Sequence, residues 1–305
     1  MPTVNIARQR SLYSDSIERH TPALQRDISR LREQLTTGRR VNRPSDDPDA
    51  FAVAEQMKRL GGELERHEAS IEAARPWVDQ TQETLNRMAD LFARAQEEGV
   101  QAANNTLSSA DRDAIAESLR SLRDEVVDQL NATHNGDYLF AGTRTNDAPF
   151  DPSSTPPGRP TTTHADISDP RTRPIGPNQD LAVNITGAEL HQMGGGETLT
   201  GALNDLIDRV ENDDLTGIQT QLDTIEKARD HVVDKGAKAG TIGRRLTTAK
   251  EQLETTRLTV EERRSEAEDT DFLETVSSLQ QTQTQLQAAL RATASTLQTS
   301  LVDFL

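Results

Sequence analysis

Residues 17–35, IERHTPALQRDISRLREQL, and residues 272–297, FLETVSSLQQTQTQLQAALRATASTL, decide the fold. In the first stretch Ile17, Leu24, Ile28, Leu31 and Leu35 fall at steps of seven, four, three and four. In the second, Phe272, Val276, Leu279, Leu286, Leu290 and Leu297 keep the same heptad frame, which Leu301 continues. Gln283 and Thr293 hold the two remaining seam positions. Steps of three and four return to one side of a helix. Both stretches therefore read as long helices with narrow apolar seams, suited to packing against other helices.

Working inward, more helices follow. One runs from about Phe51 towards Glu98, with Trp77, Thr81, Leu85, Met88, Phe92 and Ala95 on one face. Another starts after the capping residues Ser108 and Ser109, with Asp111 and Asp113 in its first turn and a stripe of Ile115, Leu119, Leu122, Val126 and Leu130. A third carries Leu215, Ile218, Leu222, Ile225 and Val232, and a fourth Ile242, Leu246, Ala249, Leu253 and Val260. Gly236, Gly240 and Gly243 between them lack the Gly-Lys-Ser/Thr and the preceding strand of a phosphate loop, and read as a helix–helix hinge. The middle is different. Eight prolines between Asn146 and Pro177 exclude a continuous helix there, and Leu181, Val183 and Ile185 alternate as in a short strand. The expected class is mainly α: an elongated antiparallel helical rod formed by the N- and C-terminal halves, with a small β or irregular domain inserted in the middle. Residues 1–45 with 265–305 are the terminal coiled-coil helices, 46–140 with 199–264 the helical core, and 141–198 the Pro-rich insertion.

Composition narrows the function. Of 305 residues only 33% are apolar, 3% are aromatic, and the net charge is −16. Such a chain is ill suited to a large enzyme core, and its acidity argues against nucleic acid as a partner, since phosphate attraction needs a basic surface. Without cysteine there is no disulfide framework, thiolate zinc site or cysteine nucleophile. The apolar runs are far shorter than the roughly 20 residues a bilayer span requires, so no membrane association is expected. Met1–Arg10 has no apolar core of signal-peptide length. The six histidines are scattered without metal-ligand spacing, and carboxylate pairs such as Glu97–Glu98 and Glu261–Glu262 sit side by side on polar helix faces. No catalytic, cofactor or metal residues are assigned.

Two segments carry specific information. Residues 37–48, TGRRVNRPSDDP, follow the first seam. Gly38 can end a helix, Pro44 keeps Arg43 extended, and Ser45, Asp46 or Asp47 can cap a helix that has Pro48 in its first turn. Residues 135–150, NGDYLFAGTRTNDAPF, read as a helix end at Gly136, a short apolar strand and a turn. The first segment resembles the corner "S-G-x-x-I-N-x-x-x-D-D-P" shared by the flagellin superfamily, through Asn42, Ser45, Asp46, Asp47 and Pro48. The second resembles the segment "G-x-Y-L-F-x-G-x-x-T-x-x-x-P-F" of its hook-associated FlgL branch, through Gly136, Tyr138, Phe140, Gly142, Pro149 and Phe150. Residues 286–293 and 300–305 are similar to endings of that branch.

The resemblance implies a structural subunit at the flagellar hook–filament junction, connecting FlgK to flagellin and packed against copies of itself. It implies export without a cleaved signal peptide through the flagellar type III apparatus, with FlgN as chaperone, and an extracellular location on the flagellum. Alternatives stay open: a flagellin filament subunit, a cytoplasmic helical adaptor or export chaperone, and an enzyme. The seam leucines, isoleucines, valine and phenylalanine named above are the expected assembly surface.

Overall fold

A computed structural model describes the backbone over residues 3–154, 159–160 and 165–302, and side chains over 20–154, 167–292 and 294. The chain divides into two compact units, one of residues 1–63 with 256–305 and one of residues 64–255. The expected mainly helical class with small sheets in the middle is what the structure shows.

The elements of the first unit are α1 (Thr3–Thr37), the start of α2 (Pro48–Ala102), the end of α6 (Leu215–Glu268) and α7 (Phe272–Val302). Helices α1 and α7 pack along each other. Ile28 is buried between them, and Leu24, Leu31, Leu35, Val276, Leu279 and Leu286 are half-buried. Phe272 and Leu290 stay 61% and 50% exposed. The side chains of Ile17, Leu297 and Leu301 lie outside the described residues.

The second unit contains most of α2 and α6 together with α3 (Ser109–Leu130) and α5 (Leu199–Glu211). The stripe expected on α2 is buried throughout, as is that of α3. Ser108 caps α3 in a capping box with Asp111, satisfying two orphan N–H groups at the helix start. Between α3 and α5 lie the β1–β2 hairpin (Thr133–His134, Asp137–Tyr138), the β3–β4 pair (Phe150–Asp151, Arg159–Pro160), the β5–β6 pair (Thr172–Gly176, Gln179–Ala182), the short helix α4 (Gly187–His191) and the β7–β8 pair (Gln192–Gly194, Glu197–Thr198). All four pairs are antiparallel. Leu181, Val183 and Ile185 are buried, as their alternation implied, although the strand itself ends at Ala182.

Two local expectations need correction. The third and fourth helices of the C-terminal half are one, α6, uninterrupted at the glycines. A Cβ built on Gly236, Gly240 or Gly243 would meet Leu85, Gln82 or Val78 of α2 at 3.7–4.0 Å. These glycines face α2 at the spacing of one helix side and do not form a hinge. Nor does a helix end at Gly136. Helix α3 stops at Leu130, and Asn135 and Gly136, with φ of 53° and 90°, make the turn between β1 and β2. Asn-Gly accepts positive φ at both central positions, which a primed hairpin turn requires.

The glycines make opposite predictions. An alanine at 243 finds ordinary contact distances and improves helix propensity, so Gly243→Ala should raise unfolding stability by about 0.5–1 kcal/mol. At Gly187 an added Cβ would lie 2.5 Å from the Phe140 carbonyl oxygen, so Gly187→Ala should cost about 1–3 kcal/mol. Chemical denaturation followed by circular dichroism measures both.

Candidate assembly site

Helix α1 ends because Gly38 takes φ of 72° and returns its N–H to the Gln34 carbonyl at 2.8 Å. The chain then runs beside the link between α6 and α7. Arg39 and Asp269 form an antiparallel bridge; the Arg40 and Val41 N–H groups donate to the Glu268 carbonyl at 2.6 and 3.3 Å, and the Thr270 N–H donates to the Gly38 carbonyl at 3.0 Å. The corner thus joins two helix–helix links rather than one. Val41 is its buried apolar residue, and the Gln34 side chain donates to the Arg40 carbonyl at 2.8 Å.

Each predicted corner residue now has a place. The Asn42 amide donates to the Arg39 carbonyl at 3.0 Å. One Asp46 oxygen accepts the N–H groups of Asn42 and Arg43 at 3.1 and 3.0 Å, closing the loop on itself. Asp47 caps α2 by accepting the Ala50 N–H at 3.0 Å, with Pro48 as the first helical residue. That N–H and the Arg40 guanidinium, 3.1 Å away, hold the Asp47 carboxyl below its usual range. Ser45 is exposed, and the capping falls to its aspartate neighbours. Sequence reasoning missed the corner's partner, the α6–α7 link at residues 268–271. Asp271 caps α7 through the Glu274 N–H at 3.0 Å. Glu268, with its side chain 13% exposed, receives Arg39 and Arg264 at 3.6 and 3.4 Å. A motif search centred on one link had no signal for residues some 230 positions later.

The second segment builds the core of the small domain in the other unit. Phe140 and Phe150 are fully buried, and Pro149 and Gly142 are buried beside them, Gly142 with φ of 65°. Tyr138 is half-buried and its N–H donates to the Thr145 carbonyl at 2.8 Å. The Asn131 side chain pairs with Phe150 as another strand would, donating to its carbonyl at 2.9 Å and accepting its N–H at 3.1 Å. His191 packs on the Phe150 ring at 5.0 Å, bonds Thr200 at 2.9 Å and is pushed by burial down to about 4. His231 donates to the carbonyls of Glu189 and Leu190 at 3.2 and 3.1 Å, and Lys235 and Lys238 pair with Glu189. These contacts fasten α4 to α6 and were invisible in the sequence.

Among the described residues no group of three or more His, Asp or Glu is arranged to hold a metal ion, and no helix is long and apolar enough to cross a membrane. What the geometry offers is fixed corners and helix faces for packing. Comparison with known proteins gives these features a family. The family model described as the bacterial flagellin N-terminal helical region matches residues 13–145, and that of the bacterial flagellin C-terminal helical region matches residues 222–305. Together they take in about seven tenths of the chain.

The chain belongs to the flagellin family.

The flagellin N-terminal match contains the whole α1–α2 corner, and the C-terminal match contains its partner link. Within the family the chain is 36% identical over 128 residues to flagellar hook-associated protein 3 of Salmonella typhimurium, covering 42% of this chain and 40% of that protein. It is 36% identical over 119 residues to the Escherichia coli protein of the same name, covering 39% and 38%. The alignments thus span about two fifths of these relatives' length. A flagellar hook-associated protein structure from Vibrio parahaemolyticus superposes with a TM-score of 0.66 at 20% identity, covering 73% of this chain and all of that one, which establishes a shared fold.

Two measurements probe the site. Val41→Ala should destabilise the corner by about 2 kcal/mol, seen as faster hydrogen exchange at the Arg40 and Thr270 amides. For His191 the folded value near 4 lies below the ordinary 6.5, so the unfolded chain binds the extra proton first. Stability of the small domain should be full above pH 6.5 and fall as pH drops towards 4, by about 3 kcal/mol. His191→Gln should flatten that part of the pH profile in thermal melts.

Proposed function

We propose that this flagellin-family chain is a structural subunit at the hook–filament junction, connecting FlgK to the flagellin filament. The observation that carries this reading is the 36% identity to two proteins named flagellar hook-associated protein 3. The role of residues Gly136–Phe150 as the centre of the small domain supports it, since that segment resembles the hook-associated branch. The protein acts without catalysis, cofactor or metal. It leaves the cell through the flagellar export apparatus with FlgN as chaperone and no cleaved signal peptide, and works outside the cell.

Residues 1–45 with 265–305 act as the assembling helices, 46–140 with 199–264 as the helical core, and 141–198 as the Pro-rich small β insertion. The α1–α7 seam supports this division. Among the described residues Ile28 is buried and six further apolar seam positions are half-buried within one copy, while Phe272 and Leu290 remain available to neighbours. Burying them against another copy adds roughly 1.5–3 kcal/mol per side chain.

A second reading, a filament subunit, draws on the flagellin names of both matching family models. One experiment separates the two. In a strain lacking its own hook-associated protein 3, this chain should restore attached filaments, with immunogold label confined to the hook–filament boundary. Label along the filament would favour the second reading. Secretion without attachment of filaments would sink the first.

A further inference from the structure

Charge is distributed unevenly along the chain. Residues 1–43 hold nine arginines and four carboxylates, a net of +5 in a protein whose total is −16. In the first unit Arg26, Arg30 and Arg43 border an open groove of about 580 Å³ that Pro22 and Ser29 also line. The two carboxylates on its wall are already engaged. Glu33 takes the Arg43 guanidinium at 2.8 Å, and Asp46 takes the Asn42 and Arg43 N–H groups. Arg26 gives only its Nε, to the Pro22 carbonyl at 3.2 Å, and Arg30 has no carboxylate partner among the described residues. The groove therefore presents the guanidinium groups of Arg26 and Arg30, which no carboxylate among the described residues neutralises, beside the paired Arg43.

Near its C-terminal end α6 carries the complement. Leu258 is 69% exposed, and Glu254, Glu261 and Glu262 share its side of the helix at steps of four, three and four. Glu261 makes a surface pair with Arg264 three residues on, an interaction weak enough to exchange. A large apolar side chain in water, ringed by carboxylates, is a knob waiting for a cationic socket.

We propose that the Leu258 stripe of one copy seats in the Arg26–Arg30–Arg43 groove of a second copy; this rests on the reading that the protein assembles into a repeating array. Leu258 gains cover from Pro22 and the aliphatic stems of the arginines, while Glu261 and Glu262 meet guanidinium groups in charge-assisted hydrogen bonds. Burial supplies the anchor and charge sets register and orientation. Two grooves face to face would set arginine against arginine, so the contact is heterologous. A heterologous contact leaves one groove and one stripe open at the ends of any pair, which lets the array continue.

The absence of cysteine makes the test clean. Full-length Ser29→Cys and Thr255→Cys proteins, the latter keeping Leu258, are mixed and treated with a short bismaleimide, both in concentrated solution and, after co-expression, in isolated flagella. The mixture should give a dimer that neither single variant gives alone. Arg26→Glu with Arg30→Glu in the Ser29→Cys chain should lower its yield about tenfold, and Glu261→Arg with Glu262→Arg in the Thr255→Cys chain should restore it. Unchanged circular dichroism melts certify that the reversals fold. A dimer from Ser29→Cys alone, or a mixed dimer indifferent to both reversals, overturns the contact. Flagella that contain both variants without the 29–255 product overturn it while leaving the junction function standing. If neither variant enters flagella the junction function fails, and the solution experiment alone decides the contact.

Discussion

Three backbone hydrogen bonds between residues 38–41 and residues 268–270 hold together what the apolar seams alone would hold loosely. They tie the α1–α2 link to the α6–α7 link, so two helix links some 230 residues apart share one corner. Every neighbouring feature serves this ladder. Gly38 turns α1 out of its path, Asp46 folds the loop back on itself, and Asp47 and Asp271 start the two helices that leave the corner. Arg40 spans both links, bonding the Asp47 carboxylate on one side and the Ala267 carbonyl on the other. A chain with few apolar side chains obtains position from directional polar bonds at points where a backbone must be satisfied anyway.

The small domain solves the same shortage differently. Its β pairs are too short to be stable alone, and two of them are extended by an asparagine side chain. Asn131 does so for Phe150, and Asn184 accepts the Arg171 N–H at 2.8 Å. The buried Phe150 packs against a neutral histidine, His191, which is polar enough to bond Thr200 and apolar enough to pack on a ring. Arg171 lies over Trp77 of α2 at 4.8 Å, a cation–π contact that fastens β5–β6 to the helices.

Electrostatics divides the labour further. The total is acidic, while residues 1–43 hold nine of the 29 arginines and a net charge of +5. Helix α1 sets the exposed Arg26 and Arg30 alongside the half-buried Leu24 and Leu31. Such a surface recognises partners by register as well as by burial.

Much was legible in the sequence. Heptad spacing located α1 and α7, the buried stripes of α2 and α3 followed from 3.6-residue periodicity, and Pro-rich composition marked the insertion, because these patterns record local geometry and the face each element must hide. Cap residues were legible for the same reason: Ser108 and Asp47 satisfy N–H groups three residues away. What the sequence left open involved partners distant along the chain. The Gly236–Gly243 run looks like a hinge until α2 lies against it, and Gly136 looks like a helix stop until Asn135 is seen to share its positive φ. Nothing near Arg39–Val41 names Glu268–Thr270 as its partner, and nothing around His191 announces that Phe150 and burial will keep it neutral. The sequence by itself determined which residues turn, cap and hide; tertiary structure decided which of them meet, because a hydrogen bond between links some 230 residues apart depends on the path of every helix in between.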